Sequence, residues 1–166
     1  MLTLYRILSF LLVPVALFFG TLCCIVLVVA LSQPALLLPL FIIACVCIYT
    51  YCSIRFVMVG IDQNRILGPK LGDWLRVNSY VSIVFALLNI TQLFLVAKNP
   101  SVLEMQVEAM PAYSAGGTVD KAFLVQLVKG CLYFLFAYSI VLLVHVFVTY
   151  AMMKKYAFVF FTRNPE

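Results

Sequence analysis

Charged residues are scarce in this chain: Asp, Glu, Lys and Arg make up 10% of its 166 residues, whereas hydrophobic residues make up 66% and the mean hydropathy is +1.15. A soluble domain is usually about 25% charged and roughly 45–50% apolar. A small domain leaves a large part of its surface exposed, so a water-soluble fold of this length has no interior for so many apolar side chains. The composition excludes an ordinary soluble domain and indicates a membrane protein.

Motifs that carry catalysis or metal binding are missing as well. The sequence has no GxSxG and no HExxH motif, and none of its six cysteines has a partner at CxxC spacing. The acidic pair Glu104 and Glu108 falls on a predicted surface helix. No Asp, Glu, Lys or Arg lies near the middle of an apolar run, where coupled carriers generally keep one. These absences predict a non-enzymatic chain that uses no metal ion or other cofactor.

Four apolar runs are each long enough to cross a bilayer as a helix, which takes about 20 residues. We predict spans at residues 7–31, 35–59, 75–97 and 122–153, with a cytoplasmic loop at 60–74 and an external loop at 98–121. Pro69 and two glycines are expected to prevent a helix in the cytoplasmic loop. The third helix would therefore begin at Asp73, its predicted N-cap. The predicted fold is an all-α membrane protein, a single four-transmembrane-helix bundle over residues 1–166.

The basic residues predict the orientation of these spans. Their positions at the ends of apolar runs do not resemble the clustered footprint of a nucleic-acid-binding surface, so we expect no nucleic-acid partner. Cytoplasmic flanks carry the excess of Lys and Arg. One side has eight of them, namely Arg6, Arg55, Arg65, Lys70, Arg76, Lys154, Lys155 and Arg163, and the other has three, namely Lys98, Lys121 and Lys129. We therefore expect cytoplasmic N- and C-termini and favour the plasma membrane, specifically a bacterial inner membrane.

The external loop is expected to contain one short amphipathic helix. Ser101 and Glu104 have the spacing of a capping box, and Pro111 would end the helix. Its apolar face, which would lie on the membrane surface, consists of Val102, Leu103, Met105, Val107 and Met110.

A polar stripe follows one face of the third helix, at alternating steps of four and three residues. Unsatisfied polar groups are costly in lipid, so these side chains are expected to face another helix, a water-filled cavity or a partner protein. Interhelical hydrogen bonding is the favoured interpretation, and a polar pathway or docking face is the alternative. The stripe consists of Asn78, Ser82, Phe85, Asn89 and Gln92.

A seam of mostly small residues follows the first helix, which lets another helix backbone approach closely. The small-residue seam consists of Ser9, Val13, Ala16, Gly20 and Cys24. It predicts a helix contact but does not say whether the partner helix belongs to the same chain.

His145 is the only histidine and lies well inside the fourth span. Cys131 and Tyr138 precede it at steps of seven residues, and Thr149 follows one turn later. An ionisable side chain in a membrane helix is a candidate functional residue, here for haem ligation or proton transfer. The favoured alternative is a neutral imidazole hydrogen-bonded to a tyrosine or amide of a neighbouring helix.

These patterns lead to three functional hypotheses. The leading one is a non-enzymatic accessory subunit that packs in a larger membrane complex or in a homo-oligomer, with membrane lipids and other subunits as its partners. The second is an oligomeric channel or transporter with a polar path along the third helix. The third is a haem-binding or redox anchor subunit that uses His145.

Overall fold

The computed structural model describes residues 1–109 and 120–160 of the chain. Within these ranges all regular secondary structure is helical and no strand occurs. In this described part of the chain, four helices are long and apolar enough to cross a membrane, and they cover Leu2–Ala30, Pro34–Ile61, Pro69–Lys98 and Lys121–Lys155. The prediction of an all-α fold with four helices that could span a membrane is confirmed for the described residues.

The elements follow the chain in a simple order. They are α1 (Leu2–Ala30), a 3₁₀ turn (Pro34–Leu36), α2 (Leu37–Arg55), a π-helical turn that continues it (Phe56–Ile61), α3 (Pro69–Lys98), the short α4 (Pro100–Glu108), α5 (Lys121–Lys155) and a final 3₁₀ turn (Ala157–Phe160).

Two helices begin earlier than their apolar runs suggested, since α1 starts at Leu2 and α3 at Pro69. Apolar residues mark only the part of a helix that lies in hydrocarbon, whereas a helix that satisfies its own backbone groups continues into the headgroup layer. The expectation that Pro69 prevents helix formation is wrong, because proline is well accommodated at the first helical position. Asp73 therefore lies inside α3 and is not its N-cap.

The described chain forms two compact units. The first contains residues 1–85 and 141–160, and the second contains residues 86–109 and 120–140. The first unit therefore holds α1, α2 and one part each of α3 and α5. The second unit holds the remaining parts of α3 and α5 together with α4.

Three separate segments meet at one end of the first unit. The backbone N–H groups of Leu67 and Gly68 donate to the carbonyl oxygen of Val159 at 2.8 and 3.3 Å. Arg6 at the start of α1 forms an ion pair with Asp62, which follows the π-helical turn. The beginning of α1, the segment between α2 and α3, and the turn after α5 are thus held together.

Two glycines let the turn after α5 approach this closely. A Cβ atom added to Gly60 would lie 2.7 Å from Cγ1 of Val159, and one added to Gly72 would lie 3.1 Å from the ring of Phe160. The Phe160 ring also stacks on that of Phe56, with 5.0 Å between their centroids. The turn is therefore packed against the first unit, which the sequence did not predict.

The short helix α4 lies in the second unit and begins one residue before the predicted cap. Asn99 occupies the N-cap position without a side-chain hydrogen bond, and Pro100 is the first helical residue. The assignment of Ser101 as the capping residue is therefore wrong. Proline at the first position explains the earlier start, because its fixed φ suits a helix beginning there.

One face of α4 packs inside the second unit. Leu103 and Val107, four residues apart, are buried, whereas Met105 is exposed. At the other edge of the helix, Lys121 contacts the carboxylates of Glu104 at 3.7 Å and Glu108 at 2.7 Å. Three residues used in the sequence predictions, Met110, Pro111 and Arg163, lie outside the described residues.

Candidate functional site

His145 lies at the centre of a group of buried polar side chains in the first unit, which we call the His145 cluster. Three helices each supply two residues spaced four apart, which places both on the same face of their helix. None of the six is more than 2% exposed. The members are Tyr5 and Ser9 of α1, Tyr49 and Ser53 of α2, and His145 and Thr149 of α5.

Both ring nitrogens of His145 take part in hydrogen bonds. The hydroxyl of Tyr49 lies 2.8 Å from Nδ1. On the other side of the ring, the hydroxyl oxygens of Ser9 and Ser53 lie 2.9 and 3.3 Å from Nε2. The imidazole therefore connects α5 to α1 and to α2, and a tyrosine on a neighbouring helix is among its partners.

Counting protons assigns the direction of these bonds. The Thr149 hydroxyl donates to the carbonyl oxygen of His145 at 2.8 Å, which uses its only proton. In the 2.9 Å bond between Tyr49 and Thr149, Tyr49 must then be the donor. The oxygen of Tyr49 accepts from Nδ1 of His145, so Nε2 is left to accept from the hydroxyl of Ser9. The contacts select the tautomer with its proton on Nδ1.

Aromatic packing encloses the imidazole. The ring of Tyr5 stacks on it with 5.1 Å between centroids, and the ring of Tyr49 meets it edge-on at 5.6 Å. The hydroxyls of Tyr5 and Ser53 lie 2.8 Å apart. The cluster is thus both closely packed and hydrogen-bonded, as buried polar groups require.

The pair of Ser9 and His145 has the separation of a nucleophile and its general base. Such a pair also needs space for a reacting atom about 3 Å from the nucleophile. Ser9 is 2% exposed and His145 is fully buried, so the ring and the hydroxyl meet only protein atoms. The geometry fits a structural role, in which hydrogen bonds hold three helices together, better than it fits a reaction centre.

A haem iron would need a ring nitrogen of His145 with a free lone pair. The Ser9 hydroxyl occupies Nε2, and Nδ1 carries the proton that Tyr49 accepts. Ligation would break this arrangement and would leave hydroxyls buried without partners. Among residues 1–109 and 120–160, no group of three His, Cys, Asp or Glu side chains is placed to hold a metal ion.

Half of the polar stripe on α3 belongs to the first unit, where Asn78 and Ser82 are buried. The side-chain amide nitrogen of Asn78 donates to the backbone carbonyl oxygen of Trp74 at 2.8 Å. The hydroxyl of Ser82 donates to the backbone carbonyl oxygen of Asn78, also at 2.8 Å. Short polar side chains inside a helix can satisfy themselves on the preceding turn in this way. Ser82 therefore does not require a polar neighbour on another helix, and Asn78 satisfies part of its hydrogen-bonding capacity on its own helix.

The polar contact from α3 to α5 comes instead from Ser79, which the stripe did not include. Its hydroxyl donates to the carbonyl oxygen of Arg76 at 2.7 Å and pairs with the hydroxyl of Tyr150. Ser79 is next to Asn78 in the sequence but outside the stripe, so the sequence pattern gave no reason to predict that Ser79 contacts α5.

The other half of the stripe belongs to the second unit, where Asn89 and Gln92 are half-buried. Tyr138, 5% exposed, also lies in this unit. Beside it the fully buried hydroxyl of Ser139 has no hydrogen-bond partner in the described part of the chain. The four polar members of the stripe are thus divided equally between the two units.

The small-residue seam of α1 has two different environments. Ser9 belongs to the His145 cluster, and the carbonyl oxygen of Ala16 accepts from the thiol of Cys47 at 3.4 Å. Beside Gly20, however, a Cβ atom would meet nothing within 4 Å, and Cys24 is exposed. Here the seam borders an apolar groove of about 580 Å³, the α1–α2 groove, lined by Val13, Ala16, Leu17, Gly20, Thr21, Cys24, Cys47, Thr50, Tyr51 and Ile54.

Comparison of the chain with models of known protein families finds no match, and comparisons with curated proteins and with solved structures find none either. They therefore supply no evidence of a catalytic activity.

Proposed function

We propose that this chain is a non-enzymatic subunit of a membrane assembly, either a larger complex or a homo-oligomer. The α1–α2 groove is its contact face, and the occupant is a membrane-spanning helix of another subunit. The observation that carries the proposal is the open space beside Gly20, where α2 leaves the small-residue seam uncovered. Small residues favour helix association in lipid because they let two backbones approach closely.

Two further observations support this function over the alternatives. The His145 cluster has both ring nitrogens engaged and all its members buried, which argues against haem ligation. Asn78 and Ser82 bond to carbonyls of their own helix, which argues against a polar pathway along that part of α3. The α1–α2 groove, by contrast, offers an apolar surface with small residues for contact with another helix.

Cross-linking from two exposed cysteines tests the proposal. One variant keeps Cys24, in the groove, as its only cysteine, and a matched variant keeps Cys131, which is exposed on α5 in the second unit. Each is labelled in native membranes with a benzophenone maleimide and irradiated. We expect the probe at Cys24 to form adducts with protein and the probe at Cys131 to label lipid alone.

Mass spectrometry of the Cys24 adduct then identifies the occupant as a second copy of this chain or as a different protein. The proposal fails if the probe at Cys24 gives lipid adducts only, or if the two probes give equal yields of protein adducts. Both variants must retain the elution volume of the unmodified chain in gel filtration, so that the comparison is made between folded proteins.

The proposal includes a topology, with both termini on the cytoplasmic side of the plasma membrane and α4 outside. It is supported by the excess of basic residues in the predicted cytoplasmic flanks. It is also supported by the contacts that join the beginning of α1 to the turn after α5 through the segment between α2 and α3. Fusions to the C-terminus test it: green fluorescent protein should fluoresce and alkaline phosphatase should be inactive, and the opposite pattern would contradict the topology.

A further inference from the structure

A second cavity lies within the second unit, between the end of α3, the short helix α4 and the beginning of α5. We call it the α4 cleft. Its volume is about 470 Å³, inside the range of roughly 300–1,000 Å³ that is typical of small-molecule sites. Its lining is mostly apolar but includes two charged residues on different helices, Glu104 of α4 and Lys129 of α5.

The two charged residues are exposed, and the neighbouring ion pairs do not fully neutralise them. Glu104 and Glu108 share the single ammonium group of Lys121, which is 1.0 Å closer to Glu108, at 2.7 Å, than to Glu104, at 3.7 Å. No carboxylate in the described ranges 1–109 and 120–160 forms an ion pair with Lys129. The cleft thus presents a positive charge at Lys129 and an incompletely balanced negative charge at Glu104.

The sequence of α5 places Lys129 near the edge of the hydrocarbon layer. The stretch from Gly130 to Met153 contains no Asp, Glu, Lys or Arg. At 1.5 Å per residue it is roughly 36 Å long, enough to cross the hydrocarbon core of about 30 Å. Lys129 then lies where phospholipid phosphates lie, and Lys121, two turns earlier, lies farther out among headgroups and water.

We propose that the α4 cleft binds a zwitterionic phospholipid whose headgroup ends in a primary ammonium. The phosphate lies at Lys129, the ammonium lies at Glu104, and an acyl chain lies along the apolar lining formed by residues such as Leu93, Leu132 and Phe136. This ligand matches both charges of the cleft, and its ammonium would lie on the outer side because Glu104 contacts Lys121, which lies farther out than Lys129. A headgroup without an ammonium would bring no cation to Glu104, and a quaternary ammonium has no N–H to donate to a carboxylate.

Native mass spectrometry of the full chain tests the inference. The protein is reconstituted in nanodiscs of equal parts phosphatidylethanolamine, phosphatidylcholine and phosphatidylglycerol. The lipids that stay bound when the protein is released from the nanodisc are then counted. We expect phosphatidylethanolamine to be retained several-fold more than either other lipid. Lys129→Gln should lower the retention of all three lipids several-fold, and Glu104→Gln should reduce the preference for phosphatidylethanolamine over phosphatidylcholine to about one.

Two further variants act as controls. Lys98→Gln removes the same charge from a residue of the second unit that does not line the cleft, and it should leave retention unchanged. Lys129→Arg keeps the charge and should restore retention, which separates loss of the site from loss of the fold. The inference is overturned if Lys129→Gln and Lys98→Gln behave alike, or if phosphatidylglycerol is retained above phosphatidylethanolamine.

Discussion

Replacing His145 by phenylalanine should destabilise the first unit by about 2–4 kcal/mol. The phenylalanine ring has a similar size and keeps the aromatic stacking on Tyr5, so the change removes the polar contacts with little change in packing. It deletes the close hydrogen bonds of the ring to Tyr49 and Ser9, at 2.8 and 2.9 Å.

The magnitude follows from two terms. Interhelical hydrogen bonds in membrane proteins contribute roughly 0.6 kcal/mol each on average and up to about 1.7 kcal/mol. A buried hydroxyl that loses its partner costs about 1–3 kcal/mol more. We use the lower part of this second range, because Tyr49 keeps its bond to Thr149 and the Ser9 hydroxyl can turn to a carbonyl of its own helix.

Unfolding in mixed micelles with increasing dodecyl sulfate measures the effect, followed by the fluorescence of Trp74, the only tryptophan. Tyr49→Phe should also destabilise the protein, by about 1–2 kcal/mol, because it removes a hydroxyl from the cluster. Tyr51→Phe is the matched control, since Tyr51 is on the same helix but is 63% exposed. A double-mutant cycle of Ser9→Ala and His145→Phe should show positive coupling between the two residues.

The predicted contribution of the His145 cluster is contradicted if the free energy of unfolding of the His145→Phe variant lies within about 0.5 kcal/mol of that of the unmodified protein, the usual range of neutral surface changes. It is equally refuted if Tyr49→Phe and Tyr51→Phe have the same effect, because the cluster would then contribute no more than a hydroxyl on the surface.

Three other changes have defined outcomes in the same unfolding assay or in thiol labelling. Gly60→Ala should destabilise the first unit by about 1–3 kcal/mol because the added Cβ would overlap Val159. Gly20→Ala, where a Cβ meets nothing, should leave the stability equal or slightly higher. Equal losses of stability in the two variants would contradict the packing of the final turn. Arg6→Gln should cost at most about 1 kcal/mol and less at high salt, and a larger, salt-independent loss would contradict an exposed ion pair. A membrane-permeant maleimide should label Cys24 faster than the buried Cys45, and equal rates would contradict their different exposure.

Long apolar runs predicted the helices well because lipid leaves the backbone few alternatives. A chain in hydrocarbon must satisfy its N–H and C=O groups internally, and a helix does so without any other segment. The runs did not predict the helix ends, however. Pro69 and Asp73 belong to α3 because helical hydrogen bonding continues into the headgroup layer, where apolar side chains are no longer required.

The partners of His145 were less predictable than its burial. A lone histidine in an apolar run had to be buried or paired, and a tyrosine partner on a neighbouring helix was among the expectations. The identity of that partner depends on how α1 and α2 are rotated and shifted relative to α5, which the pattern of one helix does not record. One signal was present: Tyr5 and Ser9, like Tyr49 and Ser53, repeat an aromatic and a hydroxyl four residues apart.

The spacing of the stripe on α3 predicted a shared face but not the hydrogen-bond partners of Asn78 and Ser82. The residues of the stripe do lie on one helix, but their spacing shows only which side chains share a face and not where their hydrogen bonds go. Asn78 and Ser82 use carbonyls of their own helix, a choice that is available to short polar side chains and that needs no partner. The contact to α5 came from Ser79, whose hydroxyl reaches Tyr150.

The mass of the particle extracted directly from native membranes into polymer-bounded lipid discs tests the proposed subunit role most directly. A subunit that receives another helix in the α1–α2 groove should be found in particles that contain a second copy or a different membrane protein. That association should weaken when Gly20 is replaced by Leu, which would obstruct the groove without touching the His145 cluster. Particles that contain a single 18.7 kDa chain and no other protein would contradict the proposed function.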